Sequence, residues 1–89
     1  MSNPFEWDDG KAESNLLKHG VSFKEASTVF RDVFAIDGID PVHSVGEYRF
    51  ITIGVSHTDR LLTVCYAEVD NGIRIMSAPI GDEFGTECL

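Results

Sequence analysis

The chain has 89 residues, 43% of them hydrophobic and 25% charged, which predicts one small globular domain over residues 1–89. Its formal charge of −8 argues against sequence-blind binding to nucleic acid, because neutralising phosphates needs a basic field, although a local basic patch is compatible with it. The chain shows no signal-peptide pattern and no apolar run of about 18 residues, so we expect a soluble, cytoplasmic protein without a membrane segment.

Two short helices are predicted at the amino-terminal end. The first runs from about Asp9 to Lys18, with Asp8 or Asp9 as its N-cap and Gly20 placed just beyond its end. Leu16 and Leu17 should supply its buried side. The second begins with the capping box from Ser22 to Glu25, in which the two end residues satisfy each other's backbone N–H groups. Its core-facing residues recur at helical spacing: Phe23, Ala26, Val29 and Phe30.

After the second helix the apolar period changes from 3.6 to 2, which predicts strands. Four strands follow: Val33 to Ile39, Glu47 to Val55, Leu61 to Ala67 and Ile73 to Ala78. Pro79 ends the last strand, and residues 80–89 should form a loose tail. The order predicts an α+β fold in which the two N-terminal helices pack on one face of a four-stranded antiparallel sheet.

A polar stripe on the first helix is the first candidate site. Lys11, Asn15 and Lys18 fall at i, i+4 and i+7 on one face, and His19 follows. An imidazole changes charge near neutral pH, so His19 can act as a general acid or base, or it can simply cap the last helical carbonyls. The two lysines can hold phosphate oxygens, or they can form a solvated helix face.

Two arginines, Arg49 and Arg74, lie within strands that are otherwise apolar. An arginine on a half-buried sheet face needs a carboxylate partner or a ligand anion. Glu47 is two residues from Arg49 on the same face and can be that partner. Structural pairing and anion binding both remain open for these arginines.

Metal and disulfide chemistry have little support in the sequence. The two cysteines, Cys65 and Cys88, are too few and too far apart for a disulfide framework, and the apolar run around Cys65 predicts a buried thiol. His43 and His57 fall in predicted loops, without metal-ligand spacing to another ligand. We therefore expect no metal site and no cofactor.

The ordered set of motifs resembles the BrnT toxin family over roughly residues 4–78. Its amino-terminal signature is matched by Phe5-Glu6-Trp7-Asp8, Lys11, Asn15, Lys18-His19-Gly20-Val21, Phe23, Glu25-Ala26 and Phe30. The later elements that agree are Glu47-Tyr48-Arg49, Ile53-Gly54, Leu61-Leu62-Thr63-Val64 and Ile73-Arg74-Ile75-Met76-Ser77-Ala78. The specificity comes from the order of the set rather than from any single motif.

This resemblance implies the toxin of a type II toxin–antitoxin module, a RelE-like ribonuclease that blocks translation by cleaving RNA without a metal. It also implies a BrnA-type antitoxin that neutralises the toxin and binds DNA, so the toxin would meet DNA only indirectly. The implied residues are His19, Lys18, Arg49 and Arg74 for catalysis and Lys11 and Glu47 for RNA binding. His19 would be an acid or base, the cations would stabilise phosphate charge, and we expect both strand arginines to converge on the joint between the helices.

The end of the last strand departs from the family pattern. Pro79 stands where the family has an arginine, and an acidic tail replaces the family's basic C-terminal helix, which we expect to be absent. Losing one oriented cation at a phosphoryl-transfer site lowers the rate by orders of magnitude. The alternative to an active ribonuclease is thus a catalytically impaired RelE-fold protein that binds an antitoxin or itself, as a homodimer. An unrelated α+β interaction domain would not explain the ordered motifs.

Overall fold

The computed structural model of the chain describes residues 4–39, 49–70 and 72–81. Its elements are β1 (Phe5–Glu6), α1 (Asp9–His19), α2 (Phe23–Thr28), a 3₁₀ turn (Val29–Arg31), β2 (Ile36–Ile39), β3 (Arg49–Val55), β4 (Leu61–Val69) and β5 (Gly72–Ser77). Glu47 and the predicted tail beyond residue 81 lie outside the described residues. Within these ranges, no helix is both long and apolar enough to cross a membrane.

The described residues form a five-stranded sheet with the order β1-β5-β4-β3-β2. Strands β2 to β5 make the predicted antiparallel meander. However, β1 adds a strand that runs parallel to β5, with Phe5 opposite Ile73 and Glu6 opposite Arg74. The predicted four-stranded antiparallel sheet is therefore wrong, because the sheet is five-stranded and mixed. Two residues are too few to show the alternation that identifies a strand.

Both predicted helix starts are confirmed by their caps. The Asp8 carboxylate accepts the Lys11 backbone N–H at 2.9 Å, and Ser22 Oγ accepts the Glu25 backbone N–H at 3.0 Å. Gly20 ends α1 in the left-handed conformation, with φ of 68°. The helix ends can be predicted from the sequence because each cap is formed by residues within a few positions of the helix end.

The core lies between the helices and one face of the sheet. Its buried residues are Val21, Phe23, Ala26, Val29, Leu62, Val64, Ile75 and Ala78. Cys65, on β4, is buried as predicted, but its sulfur is in a disulfide, so the predicted free thiol is wrong.

The buried side of α1 differs from the prediction. Leu16 is 50% exposed and Leu17 is 81% exposed, whereas Asn15 is 5% exposed. Asn15 Nδ2 donates to the carbonyls of Val21 at 3.0 Å and Ala78 at 3.1 Å, and its Oδ1 accepts the Ala78 N–H at 3.0 Å. The assignment of both leucines to the buried side is wrong, because a fully hydrogen-bonded amide takes that position instead.

Candidate functional site

Strand register places the two predicted strand arginines in one row across the sheet. Arg49 lies opposite Ala67, Ala67 lies opposite Arg74, and Arg74 lies opposite Glu6. Residues directly opposite each other share a face, and this face is turned away from the helices because the core residues of β4 occupy the other one. We call Arg49, Ala67, Arg74 and Glu6 the arginine row.

The arginine row can receive an anion between its two cations. The main chains of Arg49 and Arg74 are two strand spacings apart, about 10 Å, on either side of Ala67, which is buried. Arg74 Nε donates to Glu6 Oε2 at 2.9 Å, and both side chains of this ion pair are 51% exposed. An exposed pair of this kind contributes little to stability, so a phosphate can replace the carboxylate at small cost.

The Lys18–His19 joint lies at the other end of the sheet. The carbonyl of Gly20, which follows His19, accepts a hydrogen bond from Arg60 Nη2 at 2.8 Å, and Arg60 immediately precedes β4. Ala67 is seven positions further along the chain than Arg60, about 23 Å away along an extended strand. The structure therefore does not bring the joint to the arginine row, and the expected convergence is not seen.

The predicted polar stripe on α1 is divided by burial. Lys11 and Lys18 are exposed and His19 is half-buried, while Asn15 between them is buried and structural. Glu47, predicted to bind RNA, lies outside the described residues.

A charged cluster beside the joint was missed by the sequence analysis. The buried Glu25 carboxylate accepts hydrogen bonds from Arg60 Nε at 2.9 Å, Ser56 Oγ at 2.7 Å and Thr58 Oγ1 at 2.5 Å. The Arg60 hydrogen bond lowers the pKa of Glu25 to about 2 against the opposing effect of burial, and the two hydroxyls help. The predicted capping box also required the Glu25 side chain to accept the Ser22 backbone N–H. That half of the prediction is wrong, because the Glu25 carboxylate binds Arg60, Ser56 and Thr58 instead. No local pattern connects residues more than 30 positions apart.

Metal-ligating side chains are not gathered anywhere over the described ranges. No group of three or more His, Cys, Asp or Glu residues that could hold a metal ion occurs there.

Two helices on one face of a mixed sheet, with Arg49 and Arg74 on the other, define a small α+β protein. A family model described as the ribonuclease toxin BrnT of type II toxin–antitoxin systems matches residues 7–79. The chain therefore belongs to the BrnT ribonuclease toxin family, as the motifs predicted. Membership in a type II toxin–antitoxin family implies an antitoxin partner.

The fold is similar to that of a solved BrnT. The 1.1 Å crystal structure of the Brucella abortus ribonuclease toxin BrnT matches with a TM-score of 0.64 and 18% sequence identity. The match covers 89% of this chain and 96% of that chain. No curated protein matches the chain.

Proposed function

We propose that the chain is the active toxin of its module, a metal-independent ribonuclease that inhibits translation and is neutralised by a BrnA-type antitoxin. The observation that carries the proposal is the arginine row in a chain of this family. A −8 chain that binds RNA needs its cations concentrated at one place, and the row does this.

The arginine row can supply the charges that RNA cleavage needs. The reaction requires a base for the 2′-hydroxyl proton, cations for the pentavalent phosphate and an acid for the leaving 5′-oxygen. Arg49 and Arg74 act on the phosphate, because a guanidinium donates two parallel hydrogen bonds to phosphate oxygens. Glu6, beside Arg74, offers a carboxylate that can accept the hydroxyl proton, and a water molecule supplies the proton that the leaving 5′-oxygen takes up.

The groups on α1 form a separate candidate centre, because they lie too far from the row to contact the same phosphate. In this centre His19 is the acid or base, Lys18 is the cation and Lys11 holds the RNA backbone. Glu47, two residues before Arg49 in sequence and outside the described residues, remains a proposed RNA contact. The family's missing arginine would belong here rather than to the row, because Pro79 follows Ala78, which Asn15 of α1 binds. Its absence weakens the α1 centre and leaves the arginine row intact.

Single-turnover cleavage of a fluorescent RNA in excess EDTA tests the proposal. Arg49→Gln or Arg74→Gln should each lower the rate by about 10² to 10³-fold, the effect of removing one oriented charge. Lys24→Gln removes the same charge from an exposed position of α2 and should change nothing. His19→Gln and Lys18→Gln, measured alongside, report on the α1 centre.

Wild-type protein that leaves RNA intact and does not slow growth on expression would contradict the ribonuclease proposal. Co-expression with a BrnA-type antitoxin should restore growth if the partner proposal holds.

The second candidate function is a catalytically impaired module that binds the antitoxin or a second copy of itself. It is favoured by apolar side chains left exposed on β2, where Ile36 is 69% and Ile39 is 57% exposed. Antitoxin binding without RNA cleavage by the purified chain would support it, and sedimentation at high concentration tests the homodimer.

A further inference from the structure

A cleft of about 290 Å³ lies where β3 passes into β4, apart from the arginine row. Its lining residues are Thr28, Arg31, Asp32, Val55, Ser56 and His57. Small-molecule sites begin at roughly 300 Å³, so the cleft matches a small ligand or one unit of a chain-like ligand.

The hydrogen bonds of Thr28 determine which imidazole nitrogen of His57 faces a ligand. Thr28 Oγ1 donates its one hydrogen to the Glu25 carbonyl at 2.6 Å. The same oxygen accepts the His57 backbone N–H at 2.9 Å and lies 3.4 Å from His57 Nδ1. Because the hydroxyl has no second hydrogen to give, Nδ1 is the donor in this contact, and Nε2 is left for a ligand.

The cleft holds one carboxylate, Asp32, and one guanidinium, Arg31. Both Asp32 oxygens are already used, since Oδ2 accepts the Val55 N–H at 2.9 Å and Oδ1 accepts the Phe34 N–H at 3.0 Å. Arg31 is exposed and forms no ion pair with a carboxylate in the part of the chain that the structure describes. A guanidinium and an imidazole are thus the groups that remain to bind a ligand. The guanidinium donates to phosphate oxygens, and His57 Nε2 donates to them when the imidazole carries a second hydrogen and is an imidazolium.

An exposed aromatic residue, Phe34, lies two positions after Asp32 in sequence. Phe34 is 87% exposed, and its backbone is held by Asp32, which lines the cleft. The pairing of a cation for the phosphate with a ring for the base is how proteins bind single-stranded nucleic acid. Core packing does not account for this ring.

We propose that Arg31 and His57 bind a phosphate group of single-stranded RNA, and that Phe34 stacks on the adjoining base. This inference rests on the proposed function, because it takes RNA as the ligand, and adds a contact point outside both candidate centres. The cleft lies at the end of β3 and Arg49 at its start, about 20 Å away along the strand.

Titration of the full chain, followed by amide NMR shifts, tests this inference. The three probes are adenosine, adenosine 5′-monophosphate and a short 2′-O-methyl oligoribonucleotide, which lacks the hydroxyl needed for cleavage. We expect the oligonucleotide to shift the amides of Thr28, Arg31 and His57, and the monophosphate to shift them more weakly. Adenosine, which has no phosphate, should leave them unchanged.

Matched variants separate the cleft from general charge effects. Arg31→Gln, His57→Gln and Phe34→Leu should each weaken oligonucleotide binding about tenfold, the loss expected for one phosphate contact or one base stack. These three side chains are exposed, so the variants should fold. Glu13→Gln, which changes a charge at an exposed position of α1, should bind no more weakly than the wild type.

Two results would overturn the inference: binding of the monophosphate without the oligonucleotide, or oligonucleotide affinity unchanged in all three variants. Its failure is distinguishable from failure of the proposed function. If the oligonucleotide binds at the cleft but the chain never cleaves RNA, only the ribonuclease proposal is contradicted. If the chain cleaves RNA but the oligonucleotide does not shift the cleft amides, only the RNA contact at the cleft is contradicted.

Discussion

Glu25 joins three parts of the chain through one buried carboxylate. Its backbone N–H is capped by Ser22, and its side chain binds Arg60, whose guanidinium also reaches the carbonyl of Gly20. A capping-box glutamate normally serves the start of its own helix. Here the same residue fixes the β3–β4 turn beside the end of α1, so the Lys18–His19 joint is positioned by a residue that the sequence marked only as a cap.

The stability of the protein should depend on Glu25 in acid. The folded-state pKa, about 2, lies below the unfolded value of 4.5, so the stabilisation is complete above pH 4.5 and is lost as the pH falls towards 2. Glu25→Gln should lower the free energy of unfolding by about 2 to 3 kcal/mol at pH 7, and this deficit should shrink between pH 4.5 and 2.

Urea denaturation across this pH range measures the Glu25 effect. Glu13→Gln, at an exposed position of α1, is the matched control and should show neither the deficit nor its pH dependence. A deficit that is the same at pH 3 and pH 7 would show that the carboxylate charge is not what stabilises the turn.

At the scale of elements, the sequence predicts what is decided locally. The helix starts at Asp8 and Ser22 are confirmed because their caps act within three residues. The buried side of α1 was not predictable, because the partner that makes Asn15 a buried residue lies 63 positions away in sequence. Strand register was not predictable for the same reason, because it depends on residues distant in sequence. The sequence assigned Arg49 and Arg74 to strands, but only the pairing of both with Ala67 brings them into one row.

The fifth strand depends on a close approach that only glycine allows. A Cβ built on Gly72 would lie 1.9 Å from the Pro4 carbonyl oxygen, and that oxygen accepts the Ile73 N–H at 2.7 Å. Gly72→Ala should therefore detach β1 from β5, speed exchange of the Ile73 amide hydrogen and cost about 1 to 3 kcal/mol of stability. It should also break the Glu6–Arg74 pair, which this strand pairing holds together.

Gly20→Ala is the control for the fifth strand. Gly20 has φ of 68° but no atom within 4 Å of a built Cβ, so alanine should cost about 1 to 2 kcal/mol through backbone strain alone. Hydrogen exchange should show the Ile73 amide still protected in this variant. Equal loss of Ile73 protection in both variants would show that β1 detaches through general destabilisation rather than through the clash with Pro4.

At the scale of the whole molecule, the charge of −8 and the proposed binding of RNA oppose each other. The repulsion acts over a distance and is screened by salt, whereas the cations of the arginine row and the cleft act by direct contact. Exposed acids far from the proposed contacts should therefore affect RNA binding mainly at low ionic strength, and the arginines should affect it throughout.

RNA affinity measured between low and moderate salt separates these two effects. Glu13→Gln, at an exposed position of α1, should bind the 2′-O-methyl oligonucleotide more tightly than wild type at 20 mM salt. The gain should vanish near 200 mM, because the Debye length falls from about 20 Å to about 7 Å over this range. Arg74→Gln should bind more weakly and lower the slope of log affinity against log salt by about 0.7, the value for one phosphate contact on a single strand. An unchanged slope for Arg74→Gln would mean that Arg74 serves only its ion pair with Glu6, and the RNA path would then have to avoid the arginine row.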